Sequence, residues 1–150
     1  LYVNSMKNRP SRKVKMGSKQ RYSGLQTLFG VAHDTSCLFL CMLSIAEEQT
    51  GHDIDFITAY NACLKARAID EQFYCVNQEL ILEVLTGKKW TKKIMPKLPD
   101  KVPDKMYTVE KWYNPRTNFT HFKRRAFDTL KASVTVREGM LVEYYTYTWR

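Results

Sequence analysis

A cysteine close to a predicted helix start is the residue of this chain best suited to chemistry. The stretch HDTSCLFLCMLSIAEEQTG, residues 33–51, begins with capping residues and continues with a nearly unbroken apolar run. With Asp34 as N-cap, Cys37 lies at position N3, near unpaired backbone N–H groups and the positive end of the helix dipole. Both features favour thiolate over thiol, so Cys37 is a candidate nucleophile. The alternative is that Cys37, like Cys41 one turn later, is a small apolar core residue.

A nucleophilic cysteine needs a base, and the chain offers three histidines for that role. His33 precedes the predicted helix, and the turn into the helix carries it away from the Cys37 sulfur. His52 follows the other end of the same helix, about 20 Å away at the helical rise per residue. His121, in a region of predicted strands, is therefore the candidate general base by elimination.

The sequence NFTHFKRRAFDTL also offers an orienting group for His121. A hairpin turn centred between Arg124 and Arg125 would place His121 opposite Asp128, on the same face of the two strands. A carboxylate there can hold the imidazole in one tautomer. The alternatives are that His121 is an ordinary strand residue and that Asp128 pairs with a nearby Arg or Lys on the surface.

A zinc site is a second chemistry that the same helix suggests. His33, Cys37 and Cys41 follow one another at i, i+4 and i+8, which places them on one face. Structural zinc requires four ligands, and the sequence shows no evident fourth. We therefore expect neither a metal ion nor a cofactor.

Three helices are predicted in the first part of the chain. The first covers 35–49, ends before Gly51 and should be buried on most sides, because nearly every position from Cys37 to Ala46 is apolar. The second covers 55–67, with Asp53 or Asp55 as its cap. The third covers 77–85, between a capping asparagine at 77 and a terminating glycine at 87.

From Lys88 onward the sequence changes to predicted strands and turns. Three prolines at 96, 99 and 103 exclude a long helix in the connector. Strands are predicted at 106–113, 119–123, 126–130, 134–136 and 140–149, the last rich in Tyr, Val, Thr and Trp. Helices first and antiparallel strands second predict an α+β fold rather than a βαβ series.

Four short motifs together resemble the papain-like cysteine peptidases. They are DTSCLF on a buried helix, THF and AFDTL in the strand region, and SVTVREG before the last strand. The likeness is closest to the bacteriocin-leader-processing (double-glycine leader) peptidases and their uncharacterised bacterial and phage relatives. It covers about residues 26–149.

The resemblance implies a papain-like fold, in which N-terminal helices, one carrying Cys37, pack on a C-terminal antiparallel sheet. It implies that Cys37 is the nucleophile, His121 the general base and Asp128 the orienting residue, acting on a peptide or protein substrate. In the family an oxyanion glutamine lies about six residues before the cysteine, where this chain has Val31. The nearest glutamine, Gln26, is the candidate oxyanion donor. A papain-like domain without catalysis that binds a peptide or protein is the alternative.

Charge is concentrated at the start of the chain. The 150 residues carry a formal net charge of +9. Residues 1–24 are expected to form a basic arm, followed by one domain over 25–150. The arm suggests weak contact with an anionic surface, or a basic nucleic-acid-binding module. A solvated arm is the favoured interpretation, because no aromatic-interleaved RNA motif or recognition-helix signature accompanies the charge. Seven basic residues precede the first acidic one: Lys7, Arg9, Arg12, Lys13, Lys15, Lys19 and Arg21.

Hydropathy and cysteine usage bear on the compartment. No apolar run approaches the roughly 20 residues that span a membrane, and no apolar signal segment is visible. The four cysteines form no CxxC pair, which predicts reduced thiols. We therefore expect a cytoplasmic protein without a membrane span.

Overall fold

The computed structural model describes residues 33–124 and 134–150, and within them helices precede an antiparallel sheet. The arm predicted at 1–24 and the strand predicted at 126–130 lie outside the described residues. The elements, in chain order, are α1 (His33–Thr50), α2 (Phe56–Lys65), α3 (Gln78–Thr86), β1 (Trp90–Met95), β2 (Met106–Asn114), β3 (Phe119–Lys123), α4 (Val134–Glu138) and β4 (Met140–Trp149). This order makes the described chain an α+β fold, as the sequence predicts.

The four described strands form one sheet in the order β1-β4-β2-β3, and every neighbouring pair is antiparallel. The last strand therefore lies in the middle, and β3 forms one edge of the sheet. Val109 of β2 is opposite Tyr145 of β4, and Lys111 is opposite Phe122 of β3. A register shift between Lys111 and Trp112 interrupts the pairing of β2 with β4.

Local capping explains where two of the helices begin. The Asp55 carboxylate accepts a hydrogen bond from the Thr58 N–H at 3.0 Å and caps α2. The Asn77 side chain accepts from the Leu80 N–H at 3.0 Å and caps α3. Gly87, with φ of 75°, ends α3 in the left-handed conformation that glycine adopts without strain. These boundaries confirm the sequence prediction.

The prediction of a strand at 134–136 is wrong, because these residues begin the short helix α4. The β-branched residues at 134–136 favour a strand by propensity, but tertiary contacts outweigh that preference. The chain packs so closely at Gly139 that a Cβ there would collide with the carbonyl oxygens of Thr135 and Tyr113. A helical turn that ends at this glycine allows the chain to enter β4 directly.

The hydrophobic core lies between the helices and one face of the sheet. Phe39, Leu40, Met42, Leu43 and Ile45 of α1 are fully buried, so the prediction of a buried first helix is confirmed. Phe39 makes edge contacts with the rings of Phe56 and Phe73, each at 5.9 Å between centroids. On the sheet side, Val109 and Tyr147 are fully buried against the helices.

Candidate functional site

Cys37 is fully buried and is the fifth residue of α1. The helix begins at His33, two residues earlier than expected, so Asp34 is not its N-cap and Cys37 is not at position N3. Only the first four N–H groups of a helix lack an intrahelical acceptor. The Cys37 N–H therefore falls within the regular hydrogen-bond ladder, and the effect of the helix terminus on its sulfur is weaker than the sequence suggests.

The side of α1 that carries Cys37 faces strand β3. Cys37, Cys41, Ser44 and Glu48 follow one another at i, i+4, i+7 and i+11 and form one stripe along the helix, here called the cysteine stripe. The Cys41 thiol donates a hydrogen bond to the Phe122 carbonyl, with the sulfur 3.6 Å from the oxygen. α1 and β3 thus pack directly against each other.

The other two members of the cysteine stripe contact the residue that follows β3. The Arg124 guanidinium donates to the Ser44 hydroxyl at 3.1 Å and forms an ion pair with Glu48 at 2.7 Å. Cys41 contacts Phe122, whereas Glu48, which lies later in α1, contacts Arg124, which lies later in the chain. The helix and the strand therefore run in the same direction. Cys37, one turn before Cys41, therefore lies toward the beginning of β3, where His121 precedes Phe122.

His121 is 2% exposed and lies opposite Trp112 of β2. Its Nδ1 atom is buried. Successive side chains of a strand point to opposite faces, so the His121 ring lies on the face opposite that of the Phe122 ring. α1 and β3 are neighbours, but the Phe122 ring packs toward the helices, so the His121 ring lies on the other face of β3. The described contacts therefore place the two elements side by side without placing the His121 ring beside Cys37.

The other two predicted site residues are not described. Asp128, the predicted orienting residue, and Gln26, the predicted oxyanion donor, lie outside residues 33–124 and 134–150. The same holds for Val31, where the family has its glutamine.

A second cysteine lies near Cys37 in a way that the sequence does not reveal. Burial raises the pKa of the Cys75 thiol, and the neighbouring Cys37 and Cys63 thiols raise it further. Burial likewise raises the pKa of Cys63, to about 12. None of the four cysteines is in a disulfide. Within the described ranges, no three His, Cys, Asp or Glu side chains are arranged to hold a metal ion.

Arg124 is the residue of this region that the sequence reasoning missed. Its side chain is only 13% exposed, and its guanidinium lies 5.6 Å from the centre of the Tyr107 ring. The sequence predicts a turn at Arg124–Arg125, and no local pattern signals the contact with a helix eighty residues earlier.

Several lysines between residues 88 and 105 lie over aromatic rings of the last strand. Lys88 lies 4.8 Å and Lys105 4.7 Å from the centre of the Trp149 ring, and Lys92 lies 4.1 Å from that of Tyr145. Lys89 forms an ion pair with Glu83 at 2.5 Å. Among the described helices, none combines the length and apolar character that a membrane crossing requires.

No protein-family model, no curated protein and no solved structure matches this chain. The chemistry of the site is therefore assigned from its own residues. A buried thiol on a helix that packs beside a strand carrying a buried imidazole can form a nucleophile and base pair, if the two side chains meet at the strand edge.

Proposed function

We propose that this chain is a papain-like cysteine peptidase, or a related thiol acyl-transfer enzyme, with Cys37 as nucleophile and His121 as general base. The observation that carries the proposal is the hydrogen bond from the Cys41 thiol to the Phe122 carbonyl. It fixes the cysteine stripe against β3 within one helical turn of Cys37 and one residue of His121. The α+β order of the described elements agrees with the fold that the sequence motifs resemble.

In the proposed reaction the Cys37 thiolate attacks the carbonyl carbon of a peptide bond. His121 first accepts the thiol proton and then gives it to the leaving amine, so a covalent thioester replaces the peptide bond. Water then hydrolyses the thioester and restores the thiol. Asp128 as the group that orients His121, and Gln26 as the donor to the oxyanion, complete the proposal as the sequence suggests them.

Competitive alkylation tests the proposal, because the chain has a matched control within the same helix. Cys37 and Cys41 are both fully buried, so exposure alone predicts equally slow labelling by iodoacetamide. We expect Cys37 to react at least about 10-fold faster than Cys41 at pH 6, where an unperturbed thiol is almost fully protonated. Peptide mapping by mass spectrometry measures both rates in one sample.

Replacement of the proposed base gives the second arm of this test. His121→Gln should abolish the difference between Cys37 and Cys41 while circular dichroism shows an unchanged fold. Cys37→Ala should remove hydrolysis of a fluorogenic peptide pool, and Cys41→Ser should retain it. Equal, slow labelling of all four thiols in the native protein would refute the proposal.

A catalytically silent papain-like domain is the second candidate, and the position of Cys37 favours it. The thiol is fully buried, and its backbone N–H falls within the helical ladder rather than at the helix terminus. This candidate predicts that peptides bind to the native protein and to Cys37→Ala with equal affinity and are cleaved by neither. Fluorescence anisotropy with labelled peptides measures the affinity.

A further inference from the structure

Two lysines and two aromatic rings form a cluster on the face of the sheet that packs against the helices. The rings of Phe122 and Tyr145 lie 5.4 Å apart, although β2 separates their strands. The Lys92 ammonium lies 4.1 Å from the centre of the Tyr145 ring, and that of Lys111 lies 5.9 Å from it. We call Lys92, Lys111, Phe122 and Tyr145 the aromatic–lysine cluster; all four side chains are half-buried.

The aromatic–lysine cluster lies beside the candidate nucleophile. The Cys41 thiol, one turn after Cys37, bonds to the backbone of Phe122. On the other side, Cys75 interacts electrostatically with both Cys37 and Lys92. Cys37 and the cluster therefore share neighbours on two sides, at the contact of α1 with β3 and at Cys75.

The two lysines differ in their partners. Lys111 forms an ion pair with Glu143 at 3.6 Å. The Lys92 backbone N–H donates to the Glu79 carboxylate at 3.4 Å, and the Glu79 and Glu143 carboxylates also act electrostatically on the Lys92 ammonium. The Lys92 ammonium lies over the Tyr145 ring. Of the two lysines, Lys92 is the one whose ammonium makes no direct ion pair with a described carboxylate.

Exposed apolar side chains adjoin the cluster. Ile94, which is 54% exposed, lies opposite Tyr145 in the sheet and two residues after Lys92. Tyr74 and Val76 are 69% and 57% exposed and flank the buried Cys75. Cation and apolar surface side by side suit a peptide that carries both acidic and apolar side chains better than a small inorganic anion.

We propose that the aromatic–lysine cluster is a substrate subsite that selects peptides with an Asp or Glu side chain close to the bond that Cys37 attacks. The substrate carboxylate pairs with the Lys92 ammonium, and its aliphatic stem lies along the Tyr145 and Phe122 rings. This inference rests on the proposed peptidase function, whose site it extends. It names the substrate class as acidic peptides.

Two pools of fluorogenic peptides test the subsite. A single position is fixed, as Glu in the first pool and as Gln in the second, and all other positions are randomised. For the native protein we expect kcat/KM to be about 10-fold higher for the Glu pool, the gain of one charge-assisted contact. Lys92→Glu should remove this preference. Lys93→Glu is the matched control, because Lys93 is the exposed next residue, undergoes the same charge change and lies on the opposite face of β1.

The outcomes separate the subsite from the peptidase proposal. Hydrolysis that needs Cys37 but shows no Glu preference would overturn the subsite and leave the peptidase in place. An equal loss of preference in Lys92→Glu and Lys93→Glu would also overturn it, since long-range charge would then explain the selectivity. If no pool is hydrolysed, anisotropy with Cys37→Ala decides: tighter binding of the Glu pool that Lys92→Glu abolishes supports the subsite alone, and equal binding of both pools overturns it.

Discussion

Cys37 and Cys41 share one helix face and complete burial, and Cys41 joins that helix face to β3. Its thiol bonds to the Phe122 carbonyl, an acceptor at the edge of β3. A thiol is a weak donor, but a carbonyl that loses its donor in a buried place still costs stability. Cys41 therefore acts as a residue of the helix–strand contact.

Cys41→Ala should lower the free energy of unfolding by about 1–2 kcal/mol, from a small cavity and the lost hydrogen bond together. Cys63→Ala is the matched truncation, because Cys63 is equally buried and lies in α2, away from β3. Urea denaturation measures both variants. If Cys63→Ala lowers the free energy of unfolding as much as Cys41→Ala does, or more, the hydrogen bond to Phe122 makes no measurable contribution to stability.

At the scale of elements, β3 depends on α1 for its position. Among the described elements, β3 pairs with β2 and packs against α1. Arg124 joins the two elements through Ser44 and Glu48. We interpret this contact as a clamp that sets the position of β3, and hence of His121, along the helix.

The clamp predicts that Arg124→Met opens the contact between α1 and β3 and raises the rate at which iodoacetamide labels Cys41, the thiol enclosed by that contact. Lys123→Met is the matched control. The Lys123 side chain is about as buried as that of Arg124, at 17% against 13% exposed, but its ion pair with Glu110 at 3.6 Å joins β3 to β2 and not to the helix. Faster labelling of Cys41 in both variants, to the same extent, would mean general loosening rather than a clamp.

Across the whole molecule, the sequence predicts the features that depend on contacts between residues close together in the chain. Asp55, Asn77 and Gly87 mark helix ends through contacts within a few residues, and the α+β order follows from helical and strand periods. Long-range packing is different. The contact of Arg124 with Ser44 and the approach of Cys75 to Cys37 join distant segments, and no local pattern encodes them. The helix at α4 shows the same limit, since the crowding at Gly139 overrides strand propensity.

The buried thiols also make the stability of the whole molecule depend on pH. Burial raises the pKa of Cys63 from 9.0 to about 12 in the folded protein, so as pH rises the unfolded chain releases this proton first. The contribution of the buried Cys63 thiol to stability is therefore fully present below pH 9 and is lost progressively as pH rises toward 12. Between pH 8 and pH 10 this single thiol should contribute a loss of about 1 kcal/mol.

Cys63→Ala removes that contribution and keeps the other titrating groups; burial, the larger cause, still raises the pKa of Cys75 in the variant, while the smaller effect of the Cys63 thiol on it is lost. Urea denaturation at pH 8 and pH 10 should show that the variant loses about 1 kcal/mol less than the native protein over this interval. The comparison uses differences within each protein, so the cost of truncating Cys63 cancels. Identical losses in the two proteins would show that the Cys63 thiol ionises as readily in the folded chain as in the unfolded one, and that its burial is breached at alkaline pH.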